Sequence, residues 1–154
     1  MAEAIEILID ADACPVKDET YKVALRLQVP VTLVSNQFLR IPPHPLLKLI
    51  TVSDGFDAAD DEVVERAHDR SVVVTADILL AERALKKGAI VLGPNGRPFT
   101  ENSIGGAIAT RAIMADLRAG GDQVGGAAPF SKADRSRYLS ALDEALNRLK
   151  RAHP

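Results

Sequence analysis

Asp10 and Asp12 stand directly after the apolar run Ile5 to Ile9, and Asp77 follows a second run, Val72 to Thr75, in the same way. Carboxylates delivered from two strands to one place repel and raise one another's pKa. An all-oxygen cluster of this kind takes a hard cation, Mg²⁺ or Mn²⁺. One or two such ions orient and activate water on a phosphodiester. Helix capping explains Asp12 or Asp77 taken singly. It does not explain Asp10, which ends an apolar run before any helix begins. Asp60 adds an independent argument. On a helix beginning at Ala58, the apolar face is formed by Ala59, Val63, Val64 and Ala67. Asp60 falls inside that arc, whereas Asp61 falls outside it as a solvated neighbour. A carboxylate on a core-facing stripe is costly unless it is paired or binds a metal. Asp57 reads as the N-cap of that helix.

Two arginines sit on similar stripes. Arg111 shares a helical face with Ile104, Ala107, Ile108 and Ala115, and Arg135 shares one with Tyr138, Leu139, Leu142, Leu146 and Leu149. A guanidinium fork fits phosphate oxygens; pairing with a carboxylate at the core edge, or snorkelling, is the alternative. Lys17 is a further candidate phosphate contact, with solvation as its simpler role. Thr75, Ser35 and Asn36 fall near strand ends, where they can bond a metal-bound water or serve as caps and turns. Cys14 precedes Pro15 at a helix start, a place that can lower a thiol pKa. No arginine follows at the spacing of a cysteine-phosphatase loop, so a small buried thiol is the better reading. His44, His68 and His153 lack metal-ligand spacing.

The elements that must position these groups follow from the hydropathy pattern. Strands are expected over Ile5 to Ile9, Val31 to Ser35, Leu49 to Val52, Val72 to Thr75 and Ala89 to Leu92, from their β-branched content. Helices are expected over Val16 to Gln28 with Pro15 in the first turn, over Ala58 to His68, and over Ile78 to Lys87 with Gly88 as the stop. The alternation implies an α/β domain of three layers, a mainly parallel sheet flanked by helices, with its site outside the carboxyl ends of the strands. Gly93-Pro94-Asn95-Gly96 is turn chemistry. A helix is expected over Ser103 to Arg118, and a last one begins at the capping box Ser131-Lys132-Ala133-Asp134. Between them, Gly120 to Pro129 reads as an internal mobile loop, placed to close over bound phosphate and bring Arg135 towards the metal.

At 154 residues, 1–154 is one domain with one sizeable core. With 4% aromatic residues and no Trp, that core is aliphatic and base-stacking platforms are scarce. The net charge of −2 argues against a general electrostatic grip on nucleic acid, though not against a local basic patch. A single cysteine excludes an internal disulfide. The amino terminus lacks the features of a signal peptide, and no segment approaches the ~20 apolar residues of a membrane helix. The expectation is a cytoplasmic protein without a membrane partner.

The same residues carry a family resemblance over nearly the whole chain. Asp10-Ala11-Asp12-Ala13-Cys14-Pro15-Val16-Lys17 resembles the opening motif of the bacterial YaiI/YqxD family. Gly55-Phe56-Asp57-Ala58-Ala59-Asp60, Thr75-Ala76-Asp77-Ile78 with Leu80-Ala81, and Pro129-Phe130-Ser131 with Asp134-Arg135 resemble its later motifs. The resemblance implies a PIN-like domain, and in active PIN nucleases the acids bind Mg²⁺ or Mn²⁺ and cut RNA. Asp10, Asp60 and Asp77 match that pattern. PIN nucleases carry a fourth acid after the next strand, where this chain has Leu92-Gly93-Pro94; Asp12 is the residue that would substitute. Two alternatives stand beside a metal-dependent ribonuclease. One is a non-catalytic RNA-binding PIN-like module, which the missing acid favours. The other is a haloacid-dehalogenase-like phosphatase, with Asp10 as nucleophile, Asp12 as general acid and Ser35 as the phosphate-binding hydroxyl. It leaves no room for a cap domain and no role for Asp60.

Overall fold

The computed structural model describes residues 4–12, 14–53, 58–105 and 130–153. Among the described residues, each short β-branched run becomes a strand and each amphipathic run a helix. In chain order these are β1 (Glu6–Asp10), α1 (Lys17–Leu27), β2 (Val31–Ser35), β3 (Leu47–Thr51), α2 (Ala58–Arg66), β4 (Ser71–Val74), α3 (Ile78–Lys86), β5 (Ile90–Leu92), β6 (Pro98–Phe99) and α4 (Lys132–Ala152). Residues 101–105 are also helical.

The strands form one six-stranded sheet in the order β3-β2-β1-β4-β5-β6. β1 to β5 are parallel, and β6 returns antiparallel to β5. The chain builds outward from β1 through β2 and β3, then returns to the opposite side of β1 with β4. Outside the carboxyl ends of β1 and β4 the connections therefore diverge, the place where open α/β sheets bind ligands. The register pairs Ile9 with Val74, so Asp10 and Thr75 lead side by side into the following loops.

Period-two alternation divides the strand side chains between two cores. Ile7, Ile9, Val31, Leu33, Val72 and Val74 pack with Tyr21, Val23 and Ala24 of α1 and Tyr138, Leu142 and Leu146 of α4. On the other face, Leu8, Val34 and Val73 pack with Ala59 and Val63 of α2 and Leu80, Ala81 and Ala84 of α3. The result is helix, sheet and helix, the three-layer α/β arrangement expected.

Differences from expectation lie at element ends. Pro15 precedes α1 instead of entering its first turn: the helix starts at Lys17, and Val16 at the cap position makes no side-chain cap bond. β3 begins two residues early. β6 escapes the sequence pattern because it is two residues long and opens with a proline, tolerated at an edge. The Ser131–Asp134 capping box is formed as expected. Asp57, Arg111, the rest of the helix expected over Ser103 to Arg118 and the loop expected over Gly120 to Pro129 lie outside the described residues. Among the described residues, no helix is long and apolar enough to cross a membrane.

Candidate active site

The last residue of β1 and the turn after β4 open onto one hollow of about 300 Å³. It is lined by Asp10, Asp12, Cys14, Val74, Thr75, Ala76, Asp77 and Pro94. Three of the acids singled out in the sequence thus meet, together with Thr75. Each is held by a donor from a neighbouring strand end or helix start. Thr75 Oγ1 donates to Asp10 Oδ2 at 3.0 Å, bridging β1 and β4. The same hydroxyl oxygen accepts the Asp77 backbone N–H at 3.0 Å. Asp77 is the N-cap of α3, with Oδ1 accepting from the backbone N–H of Leu79 at 2.8 Å and of Leu80 at 3.3 Å. Ser35, at the end of β2, donates to Asp12 Oδ1 at 2.6 Å, and the Asn36 N–H donates to Asp12 Oδ2 at 3.0 Å. The capping role of Asp77 and its place in the hollow are therefore compatible.

Burial pushes the Asp10 carboxyl above its ordinary value; the Thr75 bond pulls it back, and the charges of Asp12 and Asp77 push it further up. Negative charge is concentrated where one acid is partly desolvated. Cys14 is also buried, and burial raises its thiol pKa. It lines the hollow as the small buried thiol expected, in surroundings that do not lower its pKa.

The remaining candidates divide. Asp60 is half-buried in the first turn of α2 and does not line the hollow. Asp61, read as merely solvated, bonds Arg83 of α3 at 2.8 Å. Arg135 is half-exposed and turned to α1, where Nη1 donates to the Pro15 carbonyl at 2.8 Å and to Glu19 Oε1 at 3.0 Å. Its guanidinium lies 4.9 Å from the centre of the Phe130 ring. That is the anchoring role left open in the sequence. Lys17 Nζ donates to the Cys14 carbonyl at 3.0 Å. Two cations considered as phosphate contacts thus brace consecutive carbonyls of the loop after β1. Pro94 lines the hollow from the turn after β5, where the resemblance looks for a fourth acid: β5 ends beside β4 in the parallel sheet, which brings its turn to the same edge.

The donor set is all oxygen apart from Cys14, the chemistry of a hard-cation site. Among the described residues, no group of three or more His, Cys, Asp and Glu side chains is already arranged to hold a metal ion. Mg²⁺ keeps several waters and is usually held by one or two carboxylates with substrate phosphates, so a closed protein cage is not what it requires.

Among known proteins, a relative from Sphingopyxis alaskensis is 68% identical over 146 residues, covering 94% of this chain and 95% of its own. One from Jannaschia sp. is 56% identical over 146 residues, covering 94% of each chain. One from Nitrobacter winogradskyi is 53% identical over 149 residues, covering 97% of this chain and 95% of its own. All three bear the name UPF0178 protein. No solved structure matches the chain. Residues 8–148 match the profile of the "Uncharacterized BCR, YaiI/YqxD family", a span that includes every acid of the hollow, and the chain belongs to that family.

Proposed function

We propose that the hollow is a phosphodiester-hydrolysing site of a PIN-like domain, acting on RNA with Mg²⁺ or Mn²⁺. One observation carries this reading: Asp10, Asp12 and Asp77 line the same hollow at the sheet's switch point, and their mutual repulsion helps to raise Asp10. Asp10 and Asp77 would hold the cation, with Asp12 adding charge from the β2 side. When bound, the metal supplies Lewis acidity toward a phosphoryl oxygen and lowers the pKa of a bound water. The protein's part is positional. Thr75 fixes the Asp10 carboxylate, Ser35 and Asn36 fix Asp12, and the start of α3 fixes Asp77. Asp60 is a further carboxylate on the helix that enters from the same edge.

One observation favours the second reading, a non-catalytic RNA-binding module: β5 delivers Pro94 to the hollow and no fourth acid. The phosphatase reading is served less well, because the Ser35 hydroxyl proton is given to Asp12. The test is RNA hydrolysis in Mn²⁺ by the wild-type chain, Asp10→Asn and Asp77→Asn. Cleavage by wild type that is lost in both variants, with RNA binding retained, is expected. Binding without cleavage by wild type would select the module instead.

A further inference from the structure

The exposed large hydrophobic residues of the described chain are Phe38 (79% exposed), Leu79 (52%) and Phe130 (36%). All three lie on segments that meet the carboxyl edge of the sheet. Phe38 follows β2 and Leu79 follows the Asp77 cap. Phe130 lies against Arg135, which bonds the loop after β1. Phe38 is the most exposed of the three, and the chain has only four Phe and no Trp. An aromatic side chain carries about 150–250 Å² of surface that burial would favour.

The backbone around Phe38 shows why it points outward. Leu39 and Ile41 pack against the core, while Phe38 and Arg40 are exposed. Burial alternates from Phe38 to Ile41, so the inner pair anchors the strip while the outer pair is left to solvent. The strip is also tied to the hollow. Asn36, two residues before Phe38, donates its backbone N–H to Asp12. Two residues of chain span at most about 7 Å, so the Phe38 backbone lies within that distance of Asn36, which bonds an acid of the hollow. Among the described residues Arg40 forms no ion pair.

We infer that Phe38 and Arg40 form a stacking platform for an unpaired base, with the guanidinium on the adjoining phosphate, and that this strip selects single-stranded over duplex RNA at the neighbouring site. The inference rests on the RNA reading above and adds to it a binding surface and a strandedness. Stacking on an aromatic face needs a base that is not paired, and it tolerates any sequence because every base has a π-face. A protein partner is served less well: one aromatic and one arginine fall far short of the roughly 800 Å² that each side of a stable interface buries.

The experiment is fluorescence anisotropy of a labelled short single-stranded RNA, and of the same RNA annealed to its complement, with the full chain in EDTA so that no cleavage intervenes. Phe38→Ala should weaken single-strand binding about fivefold to a hundredfold, the worth of one stacked base. It should leave duplex binding unchanged. Phe38→Trp should retain affinity, and Arg40→Ala should lower the salt dependence by about one counterion. Because Phe38 is exposed and makes no core contact, these variants fold as wild type. Unchanged single-strand affinity in Phe38→Ala, equal losses on both probes, or no measurable single-strand binding by wild type would each overturn the inference. Hydrolysis is not read here: a chain that binds in this way and cleaves nothing loses the nuclease reading and keeps the platform.

Discussion

Asp10 is a carboxylate held partly desolvated beside two other acids. Its carboxyl sits above the ordinary value, chiefly through burial, with Asp12 and Asp77 adding repulsion. A raised acid binds its proton more readily in the folded state than in the unfolded chain. Its contribution to stability is therefore present below the unfolded value of 3.8 and is lost as pH rises through the folded value. Asp10→Asn removes that loss and keeps an oxygen for Thr75. In EDTA at pH 7 the variant should unfold at higher urea than wild type, and the gap should narrow as pH falls toward the unfolded value. A variant less stable than wild type at pH 7 would mean that the carboxylate is not under strain. Arg135 illustrates the limit of reading residues alone. Its place on an apolar stripe was legible, but Glu19, its partner, lies 116 positions away. Because the arginine is 45% exposed, Arg135→Ala should cost only about 1 kcal/mol in urea unfolding. Mn²⁺ affinity should not change. A selective loss of metal or RNA binding with unaltered stability would return Arg135 to the site.

The elements were legible where local chemistry is self-sufficient. Asp77 caps α3, Ser131 and Asp134 form their box, and Gly88 ends α3 at φ +87°, a conformation that disfavours side chains. What the sequence concealed depends on what packs against an element. Gly93 to Gly96 was legible as a turn, with the Gly96 N–H closing onto the Gly93 carbonyl at 2.9 Å. Its burial under α4 was not. A Cβ on Gly96 would come within 2.5 Å of the backbone carbon of Arg137 and nitrogen of Tyr138. The φ of +83° adds strain of its own. Gly96→Ala should therefore destabilise by about 2–5 kcal/mol, summing backbone strain and overpacking. Circular dichroism during urea unfolding measures it, and a loss under 1 kcal/mol would show that α4 yields easily at its first turns. The same turn carries Pro94 to the hollow, so loosened α4 packing should also disturb the acidic site.

At the scale of the whole molecule, the switch in strand order lets short motifs far apart in the chain act together. Asp10 and Asp77 are separated in the chain by α1, β2, β3, α2 and β4 and meet only because β4 returns beside β1. The alternation of strands and helices made a parallel sheet legible, and the acids that follow β1 and β4 marked those two strand ends as neighbours; the places of β2, β3 and β5 were not legible, because nothing local distinguishes them. The assembled edge stores an unfavourable charge arrangement that a cation would relieve. A ligand bound only by the folded chain stabilises it by mass action, about 2.7 kcal/mol at a hundred times its dissociation constant. For a domain of this length that corresponds to a rise in melting temperature of roughly 5–11 °C. Mn²⁺ should produce such a rise in wild type and much less in Asp10→Asn. Without metal the order is reversed, since the variant escapes the repulsion at Asp10. The two melting curves should therefore exchange places as Mn²⁺ is added, a crossing that general ionic stabilisation cannot produce. If Mn²⁺ raises both proteins equally, the ion is acting elsewhere on the surface; if it raises neither, the carboxylates of the hollow do not constitute a metal site.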